Sequence, residues 1–342
     1  MSDKCIVSII MAVYNSEDYV ADVVASILRE RTLDMEVILV DDGSTDGSGI
    51  VCNQLAAEDS RVRVVHEENA GMCHARNVGI RVAHGDWVTF VDNDDEVLPG
   101  FVDDNLALAR KYDADVVRFG RRLLRISENG AIERSTDAVP PEERFLTAEE
   151  LRSQLWLADY GTNGPWSGFY RRMMLLDNNI SFPESFRSGW EDVWFNDQVI
   201  RVASSYAFNP KCLYEWRRRA SHSTSMKMPP QNLIDSVAAV LSLEWSMMSD
   251  YCSITQRPEW CSERLFMQVR GLVTLPAFQR VDAESERVVF VQVRKLLEPY
   301  LAFMSTHCPD GVDGFMLRLI IRQWYGLLRA VVHGGVAVKR NM

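Results

Sequence analysis

The stretch Val88-Thr89-Phe90-Val91-Asp92-Asn93-Asp94-Asp95-Glu96 ends an apolar run in four acids within five residues. Such a run reads as a buried strand that delivers carboxylates to the rim of a sheet. Crowded acids repel one another unless a cation sits among them or water screens them. Hard carboxylate oxygens suit Mg²⁺ or Mn²⁺, ions that usually also hold substrate phosphates, so Asp92 and Asp94 are candidate ligands. The plainer reading is a solvated acidic turn in which Asp94 or Asp95 caps a helix starting near Pro99. A second acidic pair, Glu191-Asp192, opens a predicted helix that runs to about Ala203. The helix dipole favours carboxylates in a first turn, and a general base can be placed there too.

The elements that must carry these acids alternate. Ile6 to Val13 reads as a strand, and apolar residues at Val20, Val23, Val24, Ile27 and Leu28 give a one-faced helix with Asn15 or Ser16 as N-cap. Val37 to Val40 is a second strand, ending in the polar turn Asp41-Asp42-Gly43-Ser44-Thr45-Asp46-Gly47-Ser48 and a helix to about Ala57. Val62 to Val65, a helix from Met72 to Ala83, and Trp87 to Val91 continue the alternation. The pattern predicts an α/β fold with a mostly parallel sheet, whose ligands sit beyond the carboxyl ends of the strands. Both acidic turns, at Asp41 and Asp92, then face one crevice. The turn after the first strand lacks the glycines of a dinucleotide fingerprint, which argues against a nicotinamide enzyme.

Further along, a helix to Lys111 and a strand from Asp115 to Phe119 extend the sheet, and Asn129-Gly130 turns a hairpin between Arg121 and Arg134. Asp137 to Arg144 reads as a loop, followed by a helix from Thr147. The run Gly161 to Tyr170, rich in glycine and aromatic rings, is either a carbohydrate-binding wall or an ordinary turn with a core tryptophan. After a strand at Leu213 to Arg217, the stretch Arg217 to Ser225, with His222, is either a loop that closes over phosphates or a solvated surface. From Pro230 the pattern is helical: Leu233 to Met248, Glu263 to Leu275, Glu284 to Leu297 and Phe315 to Val332. Arg318, Arg322 and Arg329 form one stripe on that last helix, beside Trp324. A basic stripe there is read either as a dock for anionic lipid or as arginines left in water.

The chain has 342 residues, 47% of them hydrophobic, enough for two or three domains. Its net charge of −11 argues against a nucleic-acid partner. Seven scattered cysteines without zinc spacing suggest reduced thiols in a cytoplasmic protein. No signal-peptide layout and no run of roughly 18 apolar residues is present.

As a set, Val7 to Asn15, Val40-Asp41-Asp42-Gly43-Ser44-Thr45-Asp46, Asn69-Ala70-Gly71 with Ala75 to Ile80, Val91 to Asp95 and Glu191 to Phe195 resemble family 2 glycosyltransferases of the GT-A fold. The resemblance runs from about residue 5 to residue 225. It implies an inverting, metal-assisted enzyme that moves a sugar from a nucleotide-diphosphate sugar, commonly a UDP-sugar, to a hydroxyl of a glycan or lipid-linked acceptor. By the same resemblance Asp41 accepts a hydrogen bond from the base, Tyr14 stacks nearby and Arg76 lies close to the nucleotide. Asp92 and Asp94 form the D-x-D pair that binds Mg²⁺ or Mn²⁺ through the diphosphate. Asp192, with Glu191 beside it, is implied as the base, and His222 lies in a loop approaching the diphosphate. Ala12 departs from the family, which usually has proline there. The domains expected are residues 1–225, with a nucleotide-sugar half at 1–120 and an acceptor half at 121–225, and a helical region at 226–342. The location expected is the cytoplasm, with the basic tail allowing contact at the inner face of the cell membrane. Two other classes compete: a metal-dependent phosphohydrolase, and a non-catalytic relative of the transferases.

Overall fold

The computed structural model describes residues 6–30, 32, 34–127, 129–157, 164–186, 189–219, 233–251 and 253–341, the side chains of 336–341 excepted. The chain divides into two compact units, residues 1–187 with 191–222, and residues 188–190 with 223–342.

In the first unit the elements are β1 (Val7–Val13), α1 (Val20–Leu28), β2 (Met35–Asp42), α2 (Ser48–Glu58), β3 (Val62–Glu67), α3 (Met72–Val82), β4 (Trp87–Phe90), β5 (Glu96–Val97) and α4 (Asp103–Tyr112). They continue with β6 (Val116–Ile126), β7 (Ile132–Ala138), β8 (Arg144–Thr147), α5 (Ala148–Ser153), β9 (Gly168–Arg171), α6 (Arg172–Asp177), α7 (Glu191–Val202) and β10 (Ser205–Arg219). One sheet runs in the order β3-β2-β1-β4-β9-β6-β10-β5, with β7 beside β6 and β8 beside β10. The β1–β2, β2–β3, β1–β4 and β6–β10 pairs are parallel, whereas β9 is antiparallel to β4 and β6. The mixed α/β architecture with a mostly parallel centre is therefore the expected one. β1 and β2 are buried along almost their whole length, as strands covered by helices on both faces must be. Gly79 lets α3 lie on β1, since a Cβ there would come within 2.3 Å of Ile10.

Local expectations differ in several places. Neither Asn15 nor Ser16 caps α1, whose N-cap is Tyr19. Asn15 adopts a left-handed conformation (φ 47°), and its Oδ1 accepts the Thr45 N–H at 2.8 Å, so its polar group serves the neighbouring turn instead. Asp94 and Asp95 do not cap α4. Buried Glu30 accepts the N–H groups of Gly100, Val102 and Asp103 there, a remote carboxylate at a helix start. The supposed loop after Asp137 is shorter than expected, because β7 runs to Ala138 and β8 begins at Arg144.

The second unit is helical: α8 (Ile234–Asp250), α9 (Ser253–Gln256), α10 (Pro258–Gln279), α11 (Ala283–Leu297), α12 (Leu301–Thr306), α13 (Gly311–Ile321) and α14 (Tyr325–Asn341). The single last helix expected from Phe315 to Val332 is two. Gln323 is left-handed (φ 58°), with Trp324 N–H on Leu319 O at 2.9 Å and Gln323 N–H on Ile320 O at 3.1 Å. That is a Schellman C-cap, formed without glycine, and apolar periodicity alone does not reveal it. The arginine stripe is broken with the helix. Arg318 donates to Cys308 Sγ at 3.3 Å, Arg322 lies over Trp324, and Arg329 Nε is 2.7 Å from Oε2 of buried Glu286. No helix among the described residues is long and apolar enough to cross a membrane.

Candidate active site

β2 ends in Asp41 and Asp42, and the two carboxylates serve different ends. Asp41 accepts the Ser44 N–H at 3.0 Å and lies 2.9 Å from His66 Nδ1, whose Nε2 is 3.1 Å from Asn53 Oδ1. Burial alone would raise this carboxyl, but the bonds from Ser44 and His66 outweigh it and hold the group below the ordinary aspartate range. Asp41 is thus an anion already oriented at the rim. Asp42 accepts the N–H groups of Ala70 and Gly71 at 2.8 and 2.9 Å, which fixes the start of α3. Between the strand and this network Gly43 turns with φ 68°, a conformation glycine adopts at little cost. Tyr14 is 47% exposed at the end of β1, one residue before the Asn15 contacts to Ser44 and Thr45.

α3 carries Arg76 into the acids. Its Nη2 is 2.7 Å from Asp92 Oδ1, its Nη1 is 3.4 Å from Glu191 Oε1, and the Phe182 ring lies 5.1 Å beneath it. The guanidinium is buried, which opposes its charge, yet Asp92 and Glu191 together push its basicity above the ordinary value. One cation therefore joins the turn after β4 to the start of α7, although 115 residues separate Arg76 from Glu191.

The rest of the acidic turn is tied to β10. Arg219 Nη1 donates to the Asp94 carbonyl at 2.6 Å and lies 3.4 Å from its Oδ2, while the guanidinium covers the Tyr19 ring at 4.4 Å. Asp95 is buried and accepts the Tyr214 hydroxyl and the Arg217 N–H, each at 2.7 Å. The same tyrosine oxygen accepts the Asp92 N–H at 3.1 Å. Burial first, then the charges of Asp92 and Asp94, push the Asp95 carboxyl well above the ordinary range.

At α7 the chain enters through Gly189 (φ 129°) and a left-handed Trp190 (φ 65°). Burial and the neighbouring Asp192 push Glu191 up to about 7, and burial raises Asp192 as well. Asp192 Oδ1 accepts the N–H of Val193 at 2.8 Å. Beneath them Arg118 donates to Tyr170 Oη at 2.8 Å and Asn196 Oδ1 at 3.2 Å, fastening α7 to β6. Two crowded carboxyls at a helix start do not both ionise easily, so one holds a proton near neutrality. Such a pair can accept a proton from a substrate.

Among the described residues no group of three or more His, Cys, Asp or Glu side chains is gathered as a metal site. Mg²⁺ is ordinarily bound by one or two carboxylates, with phosphate oxygens and water completing its shell. Asp92 and Asp94 fit such an ion as partners of a diphosphate rather than as a cage. The structure thus brings Arg76, Asp92 and Glu191 into direct contact, with Asp192 beside Glu191 and Asp94 held to β10. Asp41 and Tyr14 lie at the ends of the two adjacent strands. His222 lies outside the described residues. The aromatic wall is not seen in the residues that are described: Trp166, Phe169 and Tyr170 are buried, and Trp166 stacks on Tyr214 at 4.9 Å. Sequence reasoning missed Tyr214 and His66, and it read Arg217 to Arg219 as the start of a loop, whereas β10 runs on to Arg219. Their only signal is a polar residue in or at the end of a strand of the sheet.

The family model described as Glycosyl transferase family 2 matches residues 8–177, a span that contains Asp41, Arg76, Asp92 and Asp94. EpsH of Bacillus subtilis, described as a putative glycosyltransferase, is 30% identical over 323 residues, covering 85% of this chain and 90% of EpsH. The chain belongs to glycosyl transferase family 2. EpsJ of the same organism is 32% identical and YibD of Escherichia coli 30% identical. Those two matches span 64% and 62% of the relatives' own lengths, a little under two thirds. TarS 1–349 of S. aureus, crystallised with UDP-GlcNAc, superposes with a TM-score of 0.69 at 20% identity over 97% of this chain and 92% of that one. That likeness shows the fold of this family 2 chain to be GT-A.

Proposed function

We propose that this family 2 chain is an inverting glycosyltransferase that moves a sugar from a nucleotide-diphosphate sugar to a hydroxyl of a glycan or lipid-linked acceptor. The observation that carries the proposal is the Arg76 bridge between Asp92 and Glu191, which joins a metal-type acid turn to a buried acid pair of raised pKa. A UDP-sugar is the first candidate donor, favoured by the UDP-GlcNAc and UDP held in the TarS crystals. Residues 1–120 then form the donor half and residues 121–225 the acceptor half.

In this reading Asp41, kept ionised by Ser44 and His66, accepts a hydrogen bond from the base, and exposed Tyr14 gives the base a face to stack on. Asp92 and Asp94 would hold Mg²⁺ or Mn²⁺ beside the diphosphate, and such an ion would supply positive charge against the leaving group. Arg76 keeps Asp92 and Glu191 at a fixed separation and lends its charge to the same region. The acceptor oxygen attacks the anomeric carbon as the bond from that carbon to the diphosphate breaks. Its proton passes to Asp192, whose proton affinity burial raises, with Glu191 as its neighbour. A single displacement of this kind inverts the anomeric centre. The broken arginine stripe gives no support of its own to lipid contact, so a membrane-tethered acceptor at the cytoplasmic face rests on the chemistry of the acceptor alone.

Calorimetric titration with UDP and GDP, with and without Mn²⁺, on the parent protein and Asp94→Ala tests the donor site. The expected result is binding of one nucleotide that needs both the metal and Asp94. Binding of neither nucleotide under any condition would sink the reading.

A further inference from the structure

Beyond the acid site, β6 and β10 carry a run of basic residues that the proposed reaction does not use. The strand register places Arg218 of β10 beside Arg125 of β6, and Arg125 beside Arg134 of β7. Paired positions share a face, and neighbouring strands lie about 4.8 Å apart, so three guanidinium groups stand in one row across three strands. Along β6, Arg121 continues the same face four residues earlier, with its guanidinium 5.5 Å from the Trp166 ring centre and 5.3 Å from that of Trp216.

A row of like charges directly opposite one another destabilises a sheet. The one structural use of such residues is to protect an edge strand from pairing, and that use covers Arg134, exposed on β7. It also covers Arg218, where β10 has β6 as its one strand neighbour among the described residues, but not Arg125, which is half-buried between β7 and β10. Burial and the charge of Arg125 push the Arg218 guanidinium below its ordinary basicity. Arg125 Nε is buried and takes no hydrogen bond among the described residues. Asp137, the acid of β7 that does meet a β6 arginine, is held by Arg122, one residue out of phase with the row.

We propose that the Arg218–Arg125–Arg134 row is a binding site for a phosphate group carried by the acceptor. Arginine forks match phosphate oxygens bidentately, and an anion set between like-charged neighbours turns a local cost into a set of charge-assisted bonds. The row starts at Arg218, next in the chain to Arg219, which holds Asp94; successive strand residues face opposite sides, so the row lies at the same end of β10 as the donor site but on the other face of the strand. The acceptor class this implies is a phosphorylated glycan or a glycan on a lipid phosphate, and the inference rests on the transferase reading above. A nucleic-acid backbone offers the same phosphates, but the net charge of −11 opposes it.

The test uses the full chain in saturating UDP with Mn²⁺ kept in excess over all added phosphate, titrated with inorganic tripolyphosphate and followed by calorimetry and thermal melting. Arg125→Gln and the double variant Arg125→Gln/Arg134→Gln are compared with the parent; Arg218 is left alone because it adjoins Arg219. Tripolyphosphate should bind the parent alongside UDP and raise its melting temperature. Arg125→Gln should weaken it by about tenfold or more, the loss of one or two charge-assisted bonds, while leaving UDP affinity unchanged. Without phosphate, Arg125→Gln should melt above the parent, because repulsion in the row is relieved. Phosphatidylcholine vesicles with and without phosphatidic acid form the second arm. Capture by the phosphatidic acid vesicles that the Arg125 and Arg134 substitutions weaken marks a lipid phosphate, and tripolyphosphate binding without capture marks a soluble phosphorylated glycan. The proposal is overturned if neither probe binds, if UDP displaces tripolyphosphate, or if the variants bind it as the parent does. Failure of UDP and GDP alike to bind would instead strike the transferase reading, and the variants would still report on the row.

Discussion

The two units bury carboxylates in opposite ways. In the helical unit each buried acid has its own cation: Glu244 lies 2.9 Å from Arg264 Nε, with Gln268 donating to the same oxygen, and Glu286 takes Arg329 and His333. In the sheet unit Asp92, Asp94, Asp95, Glu191 and Asp192 crowd round Arg76 and Arg219, and burial raises the proton affinity of Asp95, Glu191 and Asp192. One-to-one pairing satisfies a fold. An excess of carboxylate over cation costs stability and leaves room for a further positive group, the place a metal would take in the proposed reaction. Carboxylate crowding, rather than carboxylate burial, is therefore the mark of the site.

The sharpest way to break that comparison is to remove the proton acceptor. Asp192→Asn should lower kcat by about 10²- to 10⁴-fold, the range of a positioned base, and leave UDP binding intact. Transfer at the parent rate would remove Asp192 from the reaction and point to Glu191. The pH profile refines the point. A base with a raised pKa works only when deprotonated, and burial raises Asp192, so kcat should climb as pH rises through a midpoint above the ordinary aspartate range and be lost below it. Burial and the charge of Asp192 push Glu191 up to about 7, so any part of the climb near that pH belongs to Glu191 and should vanish in Glu191→Gln. A profile that does not move would separate the two carboxyls.

Arg76→Gln should come next in size. It leaves Glu191 buried and Asp92 part-buried without their shared cation, a loss of about 3 kcal/mol measurable by urea unfolding. Glu286→Gln strips the helical unit's counterpart, yet Arg329 is 44% exposed and can turn to water, so about 1 kcal/mol is expected. Equal losses at the two positions would erase the distinction between crowded and paired acids.

These differences explain what could be read in advance. The strands β1 to β4 and the helices between them are legible because apolar runs and turn residues alternate at fixed spacing, and Asp41, Asp92 and Glu191-Asp192 stand out as acids at element ends. The links between the acids were not legible. Arg76 meets Glu191 across 115 residues, and Tyr214 meets Asp95 across 119, distances over which local pattern carries no information. The cap on α4 is missed for the same reason, since Glu30 lies some 70 residues before the groups it holds. The break at Gln323 is missed because no glycine or proline marks it. Trp166 offered two readings, and burial against Tyr214 decided for the core.

The smallest expected effect sets two strained residues side by side. Gln323 and Trp190 both have positive φ, 58° and 65°, where a Cβ costs about 1–2 kcal/mol. Glycine removes that strain but loses part of the gain to a more flexible unfolded chain, so Gln323→Gly should stabilise the protein by about 0.5 kcal/mol, read as a higher melting temperature with kcat unchanged. Trp190→Gly relieves the same strain at the residue that enters Glu191, so it should lower kcat even where the melting temperature holds. Strain persists at functional sites because the surroundings over-determine it. If Trp190→Gly keeps the parent kcat, its left-handed turn belongs with that of Gln323, a matter of chain reversal with no part in presenting the acid pair.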